Sequence, residues 1–143
     1  MSITGVEAFD STLHLTNTWL NEVMKGLAWT DRHRAYAALR ATLHALRDRL
    51  SPDEAAHLGA QLPMLVRGFY FEGWHPAGKP RKERHKDDFL AHIDVAFRND
   101  PDIDAEAVAR AVFAVIGKHV SPGEVRDIVG SLPAEIRALW PEA

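Results

Sequence analysis

The densest chemistry in the chain lies in its middle. Phe69-Tyr70-Phe71-Glu72-Gly73-Trp74-His75-Pro76 runs into Gly78-Lys79-Pro80-Arg81-Lys82-Glu83-Arg84-His85-Lys86. Gly73-x-x-x-x-Gly78-Lys79 comes within one residue of a phosphate-binding loop, in which backbone amides and a lysine cradle phosphates and a final hydroxyl holds magnesium. The final position here is Pro80, with neither hydroxyl nor amide proton. No strand-like run precedes the segment, and Pro76 stiffens it, so phosphate-loop chemistry is not expected.

What remains is charge. Lys79, Arg81, Lys82, Arg84 and Lys86 against Glu83 give this window +4, so with a net charge of -3 the rest of the chain carries -7. Such a segment suits an acidic protein surface, on a partner or on a second copy of the chain. Tyr70, Trp74 and His75 would anchor it, because aromatic and arginine side chains dominate interfaces. The alternative is a weak nucleic-acid grip, in which the same cations meet phosphates and Tyr70, Phe71 and Trp74 stack on bases. Trp74 can equally plug down onto the core.

Eight histidines raise the question of a metal. His85, Asp88 and His92 share a helical face, and Glu54-x-x-His57 shares another. A helical di-iron site needs two Glu-x-x-His elements and two further glutamates. The counterpart of Glu54-x-x-His57 is Glu124-x-x-Asp127, and His-Glu-x-x-His is absent. No metal, cofactor or catalytic residue is therefore expected; the lesser alternative is a small enzyme or a metal-binding protein, with His75, His85 and His92 near the linker as the first candidate ligands. A Gly-x-Ser-x-Gly elbow is also missing. Ser51 and Ser121 read better as helix caps.

Composition narrows the class. At 143 residues, with 46% hydrophobic and 26% charged side chains, the chain suits one folded domain. A charge of -3 gives no general attraction to nucleic acid or anionic membranes. There is no cysteine, which removes disulfides and thiolate chemistry. The first residues lack a signal-peptide layout, and the most apolar run, 105–120, is interrupted by charges and too short to span a bilayer. A cytoplasmic location is the expectation.

The elements that must position these groups are helices. Tyr36, Leu39, Leu43, Leu46 and Leu50 recur at steps of three and four, an apolar stripe on one helix. No sustained alternation marks a strand. Ser51-Pro52-x-Glu54 predicts a capped helix start. Ser51 would accept the Glu54 amide proton, Glu54 would reach back to the Ser51 amide, and Pro52 would sit where its missing N–H costs nothing.

The same signal returns 70 positions later as Ser121-Pro122-x-Glu124, and Leu62-Pro63-x-x-x-Arg67 returns as Leu132-Pro133-x-x-x-Arg137. Arg40 and Arg110 obey the same shift. Residues that recur in this way are expected to be structural ties, because an active site is seldom duplicated inside one small domain. The chain thus predicts eight helices, near 12–28, 31–50, 52–60, 63–71, 86–98, 104–119, 122–130 and 133–139. They form two four-helix repeats, 12–71 and 85–140, joined by the linker 72–84, related by a pseudo-twofold axis and sharing one core.

Several segments agree in order and spacing with a known pattern: Ala35-Tyr36-Ala37-Ala38-Leu39-Arg40, His44-Ala45-Leu46-Arg47-Asp48-Arg49-Leu50, Gly59-Ala60-Gln61-Leu62-Pro63 and Leu132-Pro133-Ala134-Glu135. In these the chain resembles the domain-of-unknown-function 2267 family of bacteria and archaea, from about Leu13 to Trp140. The resemblance implies an all-helical, internally duplicated protein. It implies no activity, and no catalytic residue is carried over from it. The expectation is a non-enzymatic binding or assembly module.

Overall fold

A computed structural model describes residues 2–142, which form eight helices and no strand. In chain order these are α1 (Glu7–Leu27), α2 (Arg32–Arg49), α3 (Pro52–Ala60), α4 (Met64–Phe71), α5 (Lys86–Ala96), α6 (Ala105–His119), α7 (Pro122–Ser131) and α8 (Ala134–Arg137). Four of the starts are capped by a side chain. Asp31 accepts the amide protons of His33 and Arg34 at the head of α2, and Asp104 accepts that of Ala107 at the head of α6. Ser51 and Ser121 each accept the amide of the residue three positions on, at 3.2 Å, behind a proline in the first turn. Such caps are worth about 1 kcal/mol each.

The boundaries depart from expectation at the ends. The first helix begins at Glu7, not near residue 12, because Asp10 in its first turn gathers the amides of Ile3 and Thr4 and the hydroxyls of Ser2 and Thr4. It closes on Ala28 in the left-handed region, φ 55°, where the Trp29 amide bonds back to Met24. Alanine is strained there relative to glycine. The fifth helix stops at Ala96, ahead of the turn through Phe97-Arg98-Asn99, and the last helix is one turn long, ending at Arg137.

The α2 helix is the central element. Ala35, Ala38, Leu39, Leu43 and Leu46 on it are wholly buried, and it packs on α1, α4, α5 and α6. The α1 helix also packs on α6, α3 on α4 and α7, and α5 on α6 and α8. One apolar cluster takes in residues from all eight helices. Trp19 stacks on His119 with centroids 5.1 Å apart, and Phe113 stacks on Trp140 at 4.4 Å. No helix among the described residues is long and apolar enough to cross a membrane.

Candidate functional site

The segment between α4 and α5 is held by its backbone, which leaves its cations outside. The buried Arg47 guanidinium donates to the carbonyls of Tyr70 (2.7 Å) and Glu72 (2.9 Å) and pairs with Asp48, fixing the exit from α4. Farther along, the Arg81 amide donates to the Asp48 carbonyl at 2.9 Å, and Arg49 Nε donates to the Glu83 carbonyl at 2.8 Å. The Glu83 carboxylate meets His92 Nε2 at 2.8 Å. The one acidic side chain of the basic window is thus turned inward onto α5.

Arg81, Lys82 and Arg84 are exposed and Lys79 is half-buried. Among the described residues no carboxylate lies within ion-pair distance of these four. With Arg49 they line a depression whose charged side chains are all cationic. Burial first, and then the nearby Arg84, lower the Arg49 pKa from its ordinary value. Arg81 also lines a neighbouring cleft of about 590 Å³ between α2 and α5, with Arg40, Arg98, His33, His44 and Glu72 around it.

His44 is fixed in one tautomer there. Its Nε2 lies 2.7 Å from the Phe69 carbonyl, which can only accept, so Nε2 carries the proton. Burial, the largest influence, holds the ring below the usual histidine pKa.

The aromatic part of the segment faces the other way. Tyr70 is wholly buried and its hydroxyl donates to the Ala55 carbonyl at 2.7 Å. Trp74 is half-buried and packs on Phe71 at 5.3 Å, with its indole nitrogen enclosed and without an acceptor. His75 is exposed. Lys86 is tied to Glu106 at 2.9 Å, and that bond raises its pKa. Of the eight residues singled out in the sequence, Tyr70 and Trp74 face inward, Lys79, Arg81, Lys82 and Arg84 form an outward basic group, His75 stands exposed and Lys86 is tied to α6. Missing from that set were Arg49 and Arg98, which stand outside the charge run, and Arg47. The signal for Arg47 was an arginine flanked by Leu43, Leu46 and Leu50 on an apolar stripe.

Three of the four recurring arginines act on backbone. Arg67 Nε donates to the Gly59 carbonyl (2.9 Å) and Nη2 to that of Leu62 (3.0 Å). Arg137 Nε donates to Val129 (3.1 Å) and Nη2 to Leu132 (2.9 Å). Arg40 meets Glu72 loosely at 3.4 Å, while Arg110 binds Glu106 and the Ala138 carbonyl.

The glutamates of the capping sequences do something else. Glu54 and Glu124 turn inward rather than back to their serines, and the Ser121 amide donates instead to Gln61 Oε1 at 2.8 Å. Two carboxylates cannot bond to one another unless one carries a proton. Burial first, and then Glu54, push the Glu124 carboxyl up to about 7.

His85 and His92 are not brought together as ligands: His85 pairs with Glu135 at 2.9 Å, and His92 with Glu83.

No curated protein matches the chain in sequence. The sequence model of one family, described as an uncharacterized conserved protein family, DUF2267, matches residues 16–139, and the chain belongs to that family.

Proposed function

We propose that the chain is a non-enzymatic docking module whose basic linker receives an acidic protein surface, borne by a partner or by a second copy of the chain. The observation that carries this reading is the set of four linker cations, Lys79, Arg81, Lys82 and Arg84, gathered with Arg49 and left without carboxylate partners among the described residues. A chain of net charge -3 concentrates +4 in this window. Complementary charge steers encounter and sets specificity. Single-stranded nucleic acid is the weaker fit, because base stacking needs open aromatic faces and Tyr70 is wholly buried.

The module is read as a duplication: repeats 12–71 and 85–140 related by a pseudo-twofold axis, with the linker 72–84 as the unduplicated part. Three observations support it. The serine caps recur 70 positions apart with equal lengths. The arginine bonds to Gly59 and Leu62 recur on Val129 and Leu132. The α1–α6 contact has its counterpart in α2–α5, and α3 meets its own counterpart α7. A linker added to a duplicated scaffold is where a role that the scaffold does not itself need can reside.

Sedimentation velocity over a range of concentrations separates the two sources of acidic surface. Association of the wild type that vanishes in Arg81→Glu/Lys82→Glu/Arg84→Glu assigns the surface to a second copy. A monomer throughout assigns it to a different protein. Association unchanged in that variant contradicts the loop as a docking surface.

A further inference from the structure

Glu54 and Glu124 are each the third residue of a proline-started helix, α3 and α7, and these two helices touch. In both side chains Oε1 is enclosed and has no hydrogen-bond partner, and Glu124 as a whole is only 8% exposed. Asp127, one turn beyond Glu124 and exposed, joins them. One carboxylate oxygen from each of the three lies within 4.8 Å of the other two. His57 stands one turn beyond Glu54, its Nδ1 3.8 Å from Glu54 Oε2. Among the described residues no lysine or arginine pairs with any of the three carboxylates.

Three carboxylates at this spacing, one of them buried, call for positive charge that no lysine or arginine among the described residues provides and that His57 can offer to Glu54 alone. A shared proton relieves one pair and leaves the third group unanswered. A divalent cation answers all three. We propose that Glu54, Glu124 and Asp127 form a site for one divalent cation of the oxygen-preferring class, represented by Mn²⁺, between α3 and α7. The donors suit it, because carboxylates select Mg²⁺, Ca²⁺ and Mn²⁺, and no thiolate is present to favour softer ions. Asp127 at the rim gives the ion a way in from solvent and leaves positions for water, which small divalent ions retain. The buried, unpartnered oxygen of Glu124 is the inner ligand, and His57 lies beside the site as a further donor. The cation would clamp one helix from each half of the chain.

Protein prepared without a histidine tag and stripped by chelator is titrated with Mn²⁺ alone, by calorimetry and by the electron paramagnetic resonance signal of free Mn²⁺. Thermal unfolding is followed in parallel. The site predicts one ion per chain and a melting temperature that climbs with Mn²⁺ concentration, as for any ligand of the folded state. Asp127→Asn, a change on an exposed side chain that also removes one of the three like charges, should weaken Mn²⁺ at least tenfold while leaving the metal-free melting temperature no lower than that of the wild type. Glu124→Gln should abolish binding. If Glu124→Gln does not fold, Asp127→Asn decides. No saturable Mn²⁺ binding at millimolar concentration, the outcome of a carboxyl pair closed by a proton alone, overturns the proposal. So does an affinity unchanged in Asp127→Asn.

Discussion

Glu54 and Glu124, at matching positions of two capping sequences, face each other across the contact of α3 and α7 instead of closing the boxes that their spacing to Ser51 and Ser121 promises. The serines still cap, but each glutamate is drawn to the junction. In chelator-treated protein at pH 8, a glutamine at 124 can donate to Glu54 where a second carboxylate cannot. Glu124→Gln should therefore raise stability by ~1 kcal/mol, the net worth of a hydrogen bond. Thermal melting checks this, and a fall in melting temperature would contradict the inward placement of the pair.

Arg67 and Arg137 each close the end of a helix on the carbonyls that the helix leaves open. Alanine at either position should cost about 1–2 kcal/mol, the range of hydrogen bonds from a charged donor at a partly exposed site. Lysine should not restore it, because one ammonium cannot reproduce the two-pronged geometry of a guanidinium. Denaturant midpoints measure the loss, and unchanged midpoints in both alanine variants would reject the structural role.

Gly59 is enforced by packing. A Cβ there would meet Phe71 Cζ at 2.5 Å and Cε2 at 2.7 Å, and Tyr70 Cε2 at 3.1 Å. Overpacking of this kind costs about 1–3 kcal/mol, more than the gain from alanine's helix propensity, so Gly59→Ala should destabilise. At Gly117, also helical, nothing lies within 4 Å of the added atom, and Gly117→Ala should stabilise by about 0.5–1 kcal/mol. Equal responses of the two sites would contradict the packing.

Much of the scaffold was legible because two helices carry their own start signals, Ser51-Pro52 and Ser121-Pro122, and the stripe from Tyr36 to Leu50 marks a third. The first turn of α1 was not, since Asp10 stabilises it by gathering groups from residues that precede the helix. The linker's charge was plain in the sequence, but the direction of its side chains was not. Tyr70 and Trp74 face inward because Arg47, distant in sequence by 23 residues from Tyr70 and 25 from Glu72, captures the carbonyls of those two residues. The Glu54–Glu124 encounter is not legible in the sequence for a related reason. A capping box is a local pattern, and only the docking of α3 on α7 shows that the Ser121 amide is already taken by Gln61.

Glu22 on α1 binds Lys118 at 2.9 Å and His119 at 2.7 Å on α6. Burial alone would raise its pKa, but these two bonds outweigh it, so the carboxyl lies below its ordinary value of 4.5. A depressed carboxyl contributes stability that is present above 4.5 and lost as pH falls through the folded-state pKa. Glu22→Gln should therefore lower the melting temperature at pH 7, by an amount worth a few tenths of a kcal/mol for so exposed a tie. At acid pH, below the folded-state pKa, the difference from wild type should close. A constant gap across that range would contradict the assignment.

The docking reading is tested most directly by fluorescence anisotropy of a labelled Asp/Glu-rich peptide, with a single-stranded oligonucleotide of equal charge as competitor, near physiological ionic strength. Docking through the linker predicts saturable peptide binding that the oligonucleotide displaces poorly and that falls at least tenfold in Arg81→Glu/Lys82→Glu/Arg84→Glu, with melting unchanged. Equal peptide affinity in wild type and variant, or preferential capture of the oligonucleotide, would contradict it.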